Sequence, residues 1–322
     1  MIFEPDTQPD PPVTTSDQAF MNPFHIADLQ IFDDETMREL LANELSELTV
    51  NDLALALHHA PAGVVGLVKR ALPPEDRPRF QEKLHQGAPD WAIHAKERRV
   101  LDALFWELTY WQTPDWYEDL TEGEALHPGI FRRLRPHLRD SVVLDAGAGS
   151  GRATLDALRQ GARQVYAVDP SPALLGILDR KVEARHLRDR VTPIKGRFDA
   201  LPLEAASVDV ALSCATFTVE DEDQARRVLA EMRRVTRAGG RIVFIWPRPQ
   251  DVRWLERQGF HHVTFPVHGE MKVYYRSLAT ALRIAERFYG RNEAVKRYLL
   301  QHREPMIPFS LLGMNPPHDY CW

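Results

Sequence analysis

The stretch Val142-Val-Leu-Asp-Ala-Gly-Ala-Gly-Ser-Gly151 joins a short apolar run to three glycines at alternate positions. The apolar run, Val142 to Ala146, is typical of a buried strand, and Arg152 to Arg159 has the pattern of a helix. Glycine permits positive φ angles and lets a ligand approach the main chain closely, which a Cβ would prevent. The stretch therefore predicts a strand, a ligand-binding turn and a helix.

The spacing of the glycines narrows the kind of ligand. A dinucleotide fingerprint is G-x-G-x-x-G, whereas this turn is G-x-G-x-G. Asp145 stands at the end of the strand, where its charge would oppose a pyrophosphate and suit a cationic amine. A dinucleotide-dependent enzyme is therefore disfavoured, and the turn favours a ligand with an ammonium group.

A second apolar strand, Gln164-Val-Tyr-Ala-Val-Asp169, also ends in a carboxylate. An acid at the tip of the second strand of such a sheet is placed to accept hydrogen bonds from both hydroxyls of a ribose. The two motifs together indicate a nucleoside that carries an amine.

These two motifs and three later ones resemble the class I S-adenosylmethionine-dependent methyltransferases. The later motifs are Gly196-Arg-Phe-Asp-Ala-Leu-Pro202, Val208-Asp-Val-Ala-Leu212 and Val235-Thr-Arg-Ala-Gly-Gly-Arg-Ile-Val-Phe244. The resemblance implies an α/β, Rossmann-like fold with a seven-stranded, mostly parallel sheet, a C-terminal antiparallel hairpin and helices on both faces. It also implies S-adenosyl-L-methionine as the cofactor and S-adenosyl-L-homocysteine as the product.

The resemblance assigns cofactor contacts along these motifs. Asp145 and the turn are expected to hold the amine, Asp169 the ribose, and Phe198 the adenine. The complete predicted set is Asp145, Gly147, Ala148, Gly149, Gly151, Asp169, Pro170, Arg197, Phe198, Asp199, Cys214 and Tyr117. Similar enzymes usually carry an acid where this chain has Arg197, so the acceptor for the adenine amino group is open, and Asp199 is one candidate.

An aromatic segment, Trp111-Gln-Thr-Pro-Asp-Trp-Tyr-Glu-Asp-Leu120, precedes the first strand, where similar enzymes place a helical lid. Methyl transfer gains mainly from proximity and water exclusion, and aromatic faces attract a sulfonium cation. We therefore predict a lid here, with Tyr117 binding the cofactor's carboxylate. The predicted substrate contacts are Trp111, Trp116, Phe217 and Thr218, and the alternative for each is ordinary core packing.

Little acid or base chemistry is required, since a sulfonium is already an activated methyl donor; a base is needed only for an acceptor that is protonated at neutral pH. The catalytic candidates are Thr216, His127 and Tyr110. His268 and His318 are equally open as bases. No metal is expected, because the histidines near 261–268 lack matching cysteines.

Charge is unevenly distributed along the 322 residues, whose net charge is −6. Residues 1–60 contain twelve Asp or Glu and one basic residue, Arg38. An overall acidic chain makes a nucleic-acid partner unlikely, while residues 1–90 remain a possible surface for a protein partner or for docking on the rest of the chain. The chain shows no signal peptide or long apolar run, so we expect a cytoplasmic protein with no membrane contact.

The chain divides by pattern into five parts. Residues 1–30 are acidic and proline-rich and are predicted to be extended or disordered; 31–90 form an all-α module of four short helices; and 91–139 form a helical linker with the lid. Residues 140–276 are the α/β core, closed by a hairpin of 259–266 with 271–276. Residues 277–322 are a helix, running from 277 to about 300, and a packed tail.

Two hypotheses of different classes follow. The first is an S-adenosylmethionine-dependent methyltransferase that acts on a small-molecule substrate by in-line displacement under an aromatic lid. The alternative is a non-catalytic cofactor-binding, scaffold or regulatory protein that works through its N-terminal helices.

Overall fold

The computed structural model describes residues 22–290 and 292–322. The prediction of an extended segment over residues 1–30 therefore lies mostly outside the described residues. From residue 22 onward the chain is ordered into helices and strands, beginning with a 3₁₀ helix at Ile26–Ile31.

Nine strands occur in the described part of the chain. Their bounds are Val142–Ala146 (β1), Gln164–Asp169 (β2), Val191–Lys195 (β3), Val208–Cys214 (β4), Thr236–Ile245 (β5), His262–Thr264 (β6), Lys272–Tyr274 (β7), Met306–Pro308 (β8) and Asp319–Cys321 (β9).

The helices come before, between and after these strands. Their bounds are Asp34–Ala42 (α1), Val50–Ala56 (α2), Ala62–Ala71 (α3), Arg77–Leu84 (α4), Asp90–Ala103 (α5), Phe105–Gln112 (α6), Pro114–Thr121 (α7), Pro128–Leu138 (α8), Arg152–Arg159 (α9), Pro172–Ala184 (α10), Glu222–Val235 (α11), Pro249–Arg257 (α12), Leu278–Phe288 (α13), Glu293–His302 (α14) and Phe309–Leu312 (α15).

Seven strands form one sheet in the order β3-β2-β1-β4-β5-β9-β6. The first five are parallel, and β9 pairs antiparallel with both of its neighbours. The predicted fold class, a mostly parallel seven-stranded sheet with helices on both faces, is confirmed. Strands β2 and β3 are added on one side of β1, and β4 and β5 on the other, so the strand order reverses at β1. In such sheets ligands bind beyond the carboxyl ends of the strands, next to the place where the order reverses.

The predicted closing hairpin is wrong. Strand β6 pairs with β9, and β7 pairs with β8 in a separate two-stranded sheet. The strand that completes the main sheet thus comes from residues 319–321, past the boundary at 276 that the sequence indicated for the core. Only three residues of each segment are extended, and periodicity cannot identify the partner of so short a strand.

The N-terminal helices and the two helices that follow β7 share one hydrophobic core. It contains buried side chains from α1–α6, such as Met37 and Phe80, together with Val273 of β7, Ile284 of α13 and Leu299 of α14. The N-terminal and C-terminal helices therefore fold as one layer against the lid region. The single helix expected from 277 to about 300 is two helices, because α13 ends at Phe288 and Asn292 caps α14.

Two further cores lie on the opposite faces of the main sheet, one including Leu134 and Leu178, the other Leu229 and Trp254. Within the described ranges, none of the helices is both long enough and apolar enough to cross a membrane.

Replacing Tyr320 by alanine tests the role of β9. Tyr320 has no exposed surface and packs between β5 and β6, so its loss leaves a cavity in the sheet's core. We expect the free energy of unfolding in urea to fall by about 3 kcal/mol. Met314→Ala, at an exposed tail position, is the control and should change it by less than about 0.5 kcal/mol. Equal effects of the two changes would contradict an interior position for β9.

Candidate functional site

The glycine turn between β1 and α9 folds back on the end of β2. The backbone N–H groups of Gly147 and Ala148 both donate to the Val168 carbonyl, at 2.9 and 3.0 Å. Gly147 has φ of +73°, and a Cβ built there would lie 2.7 Å from the Thr216 hydroxyl oxygen. The turn therefore requires glycine at this position for both conformation and space.

Asp145 lies under this turn with 1% of its surface exposed. One carboxylate oxygen, Oδ2, accepts a hydrogen bond of 2.6 Å from the Thr154 hydroxyl on α9. The other, Oδ1, is buried and has no hydrogen-bond partner among the described residues. Burial raises the pKa of Asp145 to about 6. A buried carboxylate oxygen without a partner is a ready acceptor for a cationic donor.

Asp169, at the end of β2, is held by backbone groups on both sides. Its Oδ2 accepts from the Gly149 N–H at 2.8 Å, and its Oδ1 accepts from the Ser171 N–H at 2.9 Å. Burial raises its pKa to about 6, and the backbone hydrogen bonds oppose that rise. Each oxygen keeps a second lone pair, so the carboxylate can still accept hydroxyl donors.

Tyr117 of the predicted lid lies over the turn and contacts Tyr110, the residue just before the lid segment. A Cβ built on Gly149 would be 3.6 Å from Cε1 of Tyr117, and the Tyr117 ring meets the Tyr110 ring edge to face at 4.9 Å. Burial raises the pKa of both phenols above their ordinary value. The Tyr110 carbonyl accepts a hydrogen bond of 2.9 Å from the Ser171 hydroxyl. The structure thus brings Tyr110 and Tyr117 together with Asp169.

An ion pair that the sequence analysis missed lies beside these tyrosines. Arg152, the first residue of α9, donates to Oε2 of Glu124 at 2.9 Å, and Glu124 is 6% exposed. The Arg152 guanidinium also lies 5.7 Å from the centre of the Trp246 ring. Burial raises the pKa of Glu124, and Arg152 opposes the rise. An arginine directly after the last turn glycine is the sequence signal that could have identified it.

Cys214, at the end of β4, belongs to the same neighbourhood. Burial raises the pKa of its thiol to about 12, and the charges that act on it are those of Arg152, Asp145, Asp156 and Glu124. Cys214 is therefore a neutral thiol at the edge of the crevice.

On the other side of Asp169, the segment after β3 is tied to the N-terminal helices. Arg197 donates to Asp199 at 3.0 Å and to Glu39 of α1 at 3.5 Å. Lys195 donates to Asp33 at 3.0 Å. Phe198 is partly buried and packs against the core that contains Leu201. The two basic side chains at the end of β3, Lys195 and Arg197, are therefore both paired with carboxylates.

Three of the four predicted substrate contacts are not supported by their positions. Phe217 is 5% exposed and packs in the core against Phe244 and Trp254. Trp116 stacks on Phe24, with the Arg287 guanidinium 3.6 Å from its ring centre. Trp111 packs edge to face on Phe32. These rings pack in or against the helical and sheet cores. Thr218 is exposed.

Two of the catalytic candidates have structural contacts. The Thr216 hydroxyl lies 3.1 Å from that of Ser213 and 3.3 Å from the Cys214 carbonyl, behind Gly147. His127 caps α8 by accepting from the Gly129 N–H and stacks on Phe265. Tyr110 is the candidate that lies beside Asp169.

The residues present fit a nucleoside that carries an amine. Asp145 has a free, buried acceptor oxygen for a cation, Asp169 has spare lone pairs for ribose hydroxyls, and a Cβ at Gly147 would collide with Thr216. The fold is an α/β domain whose candidate site lies at the carboxyl ends of β1 and β2.

Comparison with known proteins identifies the family. Residues 143–240 match the model of the methyltransferase domain family. The chain is 28% identical over 181 residues to an uncharacterized methyltransferase of Geobacillus sp., covering 54% of this chain and 80% of that one. It is 39% identical over 79 residues to protein arginine N-methyltransferase 1 of Schizosaccharomyces pombe, which is 24% of this chain and 23% of that protein.

A SAM-dependent methyltransferase of Aquifex aeolicus overlaps 51% of this chain and 92% of that one, at 21% identity and a TM-score of 0.39. The chain carries a class I S-adenosylmethionine-dependent methyltransferase domain, and S-adenosyl-L-methionine is its cofactor. The chain spans most of the length of the Geobacillus relative but less than a quarter of the arginine methyltransferase.

The buried carboxylates predict a specific dependence of stability on pH. Because the pKa of Asp145 is about 6 in the folded protein and near 3.8 in an ordinary environment, the folded state binds more protons between these values. Its contribution to stability therefore falls as pH rises from 4 to 6. Asparagine does not titrate, so the Asp145→Asn variant should not show this fall. We therefore expect its free energy of unfolding, relative to that of wild type, to be about 2 kcal/mol higher at pH 7.5 than at pH 4.5.

Urea denaturation of the ligand-free protein at both pH values measures this gain. Asp140→Asn is the control, since that side chain is 87% exposed and asparagine tolerates its positive φ. A gain for Asp145→Asn no larger than that of the control would contradict burial of the charge.

Proposed function

We propose that this protein transfers a methyl group from S-adenosyl-L-methionine to a small-molecule acceptor, in a crevice covered by α6 and α7. The observation that carries the proposal is the position of Tyr117 over the glycine turn, directly above Gly149 and in contact with Tyr110. Both helices pack against α10, and α7 also packs against α13, so the proposed lid is fixed to the rest of the chain and would enclose the crevice on the acceptor side. An enclosed crevice suits a small acceptor better than a folded protein.

The cofactor's polar groups find partners along the turn. Asp145 would take the amine through its free oxygen, and Asp169 would take the ribose hydroxyls, with the Gly149 backbone between them. Arg152 has guanidinium N–H groups beyond the two used by Glu124, and these would bind the carboxylate end, with Tyr117 beside it. Cys214 would line the cofactor site as an uncharged thiol.

The bound sulfonium supplies an activated methyl group, so the protein's task is to position the two reactants and exclude water. Tyr110 and Tyr117 close the crevice and present aromatic surface, which favours a cation. Buried Glu124, whose pKa is raised, is available to receive a proton from an acceptor that must lose one.

Cofactor affinity should depend on Asp145 and on pH. Because Asp145 and Asp169 ionise near pH 6, we expect the Kd for S-adenosyl-L-homocysteine to fall as pH rises from 5 to 7. Asp145→Asn should raise the Kd at pH 7 by about 100-fold, as a buried charge-assisted hydrogen bond and its ion pair are lost. Isothermal titration calorimetry measures both, with Asp140→Asn as the unaffected control.

Binding also separates the two hypotheses left open by the sequence. Tight binding of S-adenosyl-L-homocysteine together with acceptor-dependent methyl transfer supports the enzyme. Binding without transfer to any acceptor favours a non-catalytic cofactor-binding protein, and no binding of either nucleoside at pH 7 would refute the proposed function.

The acceptor class can be tested with labelled cofactor. We expect transfer of radiolabelled methyl groups into the small-molecule fraction of an extract and no incorporation into its proteins. Incorporation into protein, or into an arginine-rich peptide, would contradict a small-molecule acceptor. A Tyr117→Ala variant should lose at least about tenfold in kcat/KM, since it opens the enclosed crevice to water.

A further inference from the structure

The adenine end of the proposed cofactor site lacks an acceptor on β3. Adenine presents an amino donor beside ring-nitrogen acceptors, whereas a guanidinium such as that of Arg197 offers donors only. Asp199, the replacement considered from the sequence, has Oδ1 at 3.0 Å and Oδ2 at 3.5 Å from Arg197 nitrogens. Each oxygen keeps a second lone pair, but the carboxylate is held towards Arg197, so an acceptor from another element is the alternative to Asp199.

Helix α6 brings a carboxyl group to this end of the sheet. Glu107 lies three and four residues before Tyr110 and Trp111, so all three share one face of α6. The Tyr110 carbonyl binds the Ser171 hydroxyl just after β2, and the Trp111 ring lies 5.6 Å from the ammonium of Lys195, the last residue of β3. This face of α6 therefore lies across the ends of β2 and β3.

The N-terminal helices hold their own carboxylates close to the same place. Asp33 accepts from Lys195 at 3.0 Å, and Glu39 of α1 pairs with Arg197 at 3.5 Å. These two contacts attach the start and middle of α1 to the end of β3. The module of residues 31–90 is thus anchored beside the adenine end of the crevice.

Burial, more than any other cause, raises the pKa of Glu107 to about 8. The charges that act on its pKa are those of Glu44 after α1, Asp169 on β2, Arg197 after β3 and Glu39 on α1, and of these the Arg197 charge lowers it. At neutral pH Glu107 is mostly a neutral carboxylic acid. Such a group offers one donor and one acceptor side by side, which matches the amino group and ring nitrogen of an adenine edge.

We propose that Glu107, presented by α6 across the ends of β2 and β3, binds the adenine edge of the cofactor in place of the acid that Arg197 replaces. The inference rests on the proposed function, because it requires that the crevice hold an adenosyl group. It gives the N-terminal helices a role in cofactor binding, because Asp33 and Glu39 at α1 pair with Lys195 and Arg197 beside this contact.

The test compares S-adenosyl-L-homocysteine with its N6,N6-dimethyladenosyl analogue, whose amino nitrogen has no hydrogen to donate. For wild type at pH 7 we expect the dimethyl compound to bind at least tenfold more weakly by calorimetry. Glu107→Ala should weaken the adenosyl compound about tenfold and reduce the ratio of the two Kd values towards one. Glu47→Ala, on a side chain that is 90% exposed in the same module, is the control.

Glu107→Gln gives a second, independent readout. Its amide keeps a donor and an acceptor but does not titrate, so binding at pH 7 should stay within about threefold of wild type. Wild-type affinity should decline as pH rises through about 8, and that decline should shift or vanish in Glu107→Gln.

Two outcomes are distinguishable by design. If wild type binds S-adenosyl-L-homocysteine while Glu107→Ala keeps the wild-type ratio and Glu107→Gln keeps the wild-type pH profile, Glu107 does not contact adenine and the proposed function stands. If wild type binds neither compound, the proposed function itself fails.

Discussion

The crevice depends on the burial of two carboxylates, Asp145 and Asp169, at the ends of the adjacent strands β1 and β2. Both have raised pKa values because they are removed from water, so each tends to destabilise the folded protein while it is charged and without a cation. Asp169 is compensated by two backbone N–H groups, whereas Asp145 keeps one oxygen without a partner. A ligand that brings a positive charge removes that cost, which couples cofactor binding to the stability of the turn.

The glycine turn also depends on the side chains that pack against it. Thr216 fills the space beside Gly147, and Leu178 of α10 fills the space beside Gly151, where a Cβ would lie 2.3 Å from its side chain. Tyr117 covers the remaining side. The glycines are therefore required as much by what packs against them as by the ligand they admit, and this packing positions the Gly149 N–H that binds Asp169.

The helical layer links the two ends of the chain. Helices from residues 34–112 share their core with β7, α13 and α14, and the Arg276 and Arg283 side chains both pair with Asp119 of α7. The lid helices are thus held between N-terminal and C-terminal segments rather than on a free loop. This arrangement explains why most of the aromatic residues near 105–116 serve packing and why Tyr110 and Tyr117, which project beyond that core, reach the turn.

The chain's local patterns were enough for the parallel part of the fold. The bounds of β1, β2 and α9 match the sequence prediction residue for residue, because β1 and β2 are short apolar runs ended by a glycine or an acid and α9 lies between Gly151 and Gly161. Asp145, Asp169 and the turn glycines were recognisable for the same reason, since their roles follow from their places at strand ends. Arg152 carries a signal in its position after Gly151, but its pairing with Glu124 joins residues 28 apart and has no local pattern.

What the sequence determined by itself is the parallel half of the sheet and the two acids at its edge, because apolar runs, glycines and acids mark each strand and turn locally. Only the tertiary structure decided that residues 319–321 complete the sheet, that β7 pairs with β8, and which aromatic rings pack in the helical core. The physical reason is the same in each case. A three-residue strand or a single ring has no preference of its own for a partner, so the choice is made by the surfaces that the rest of the chain has already built.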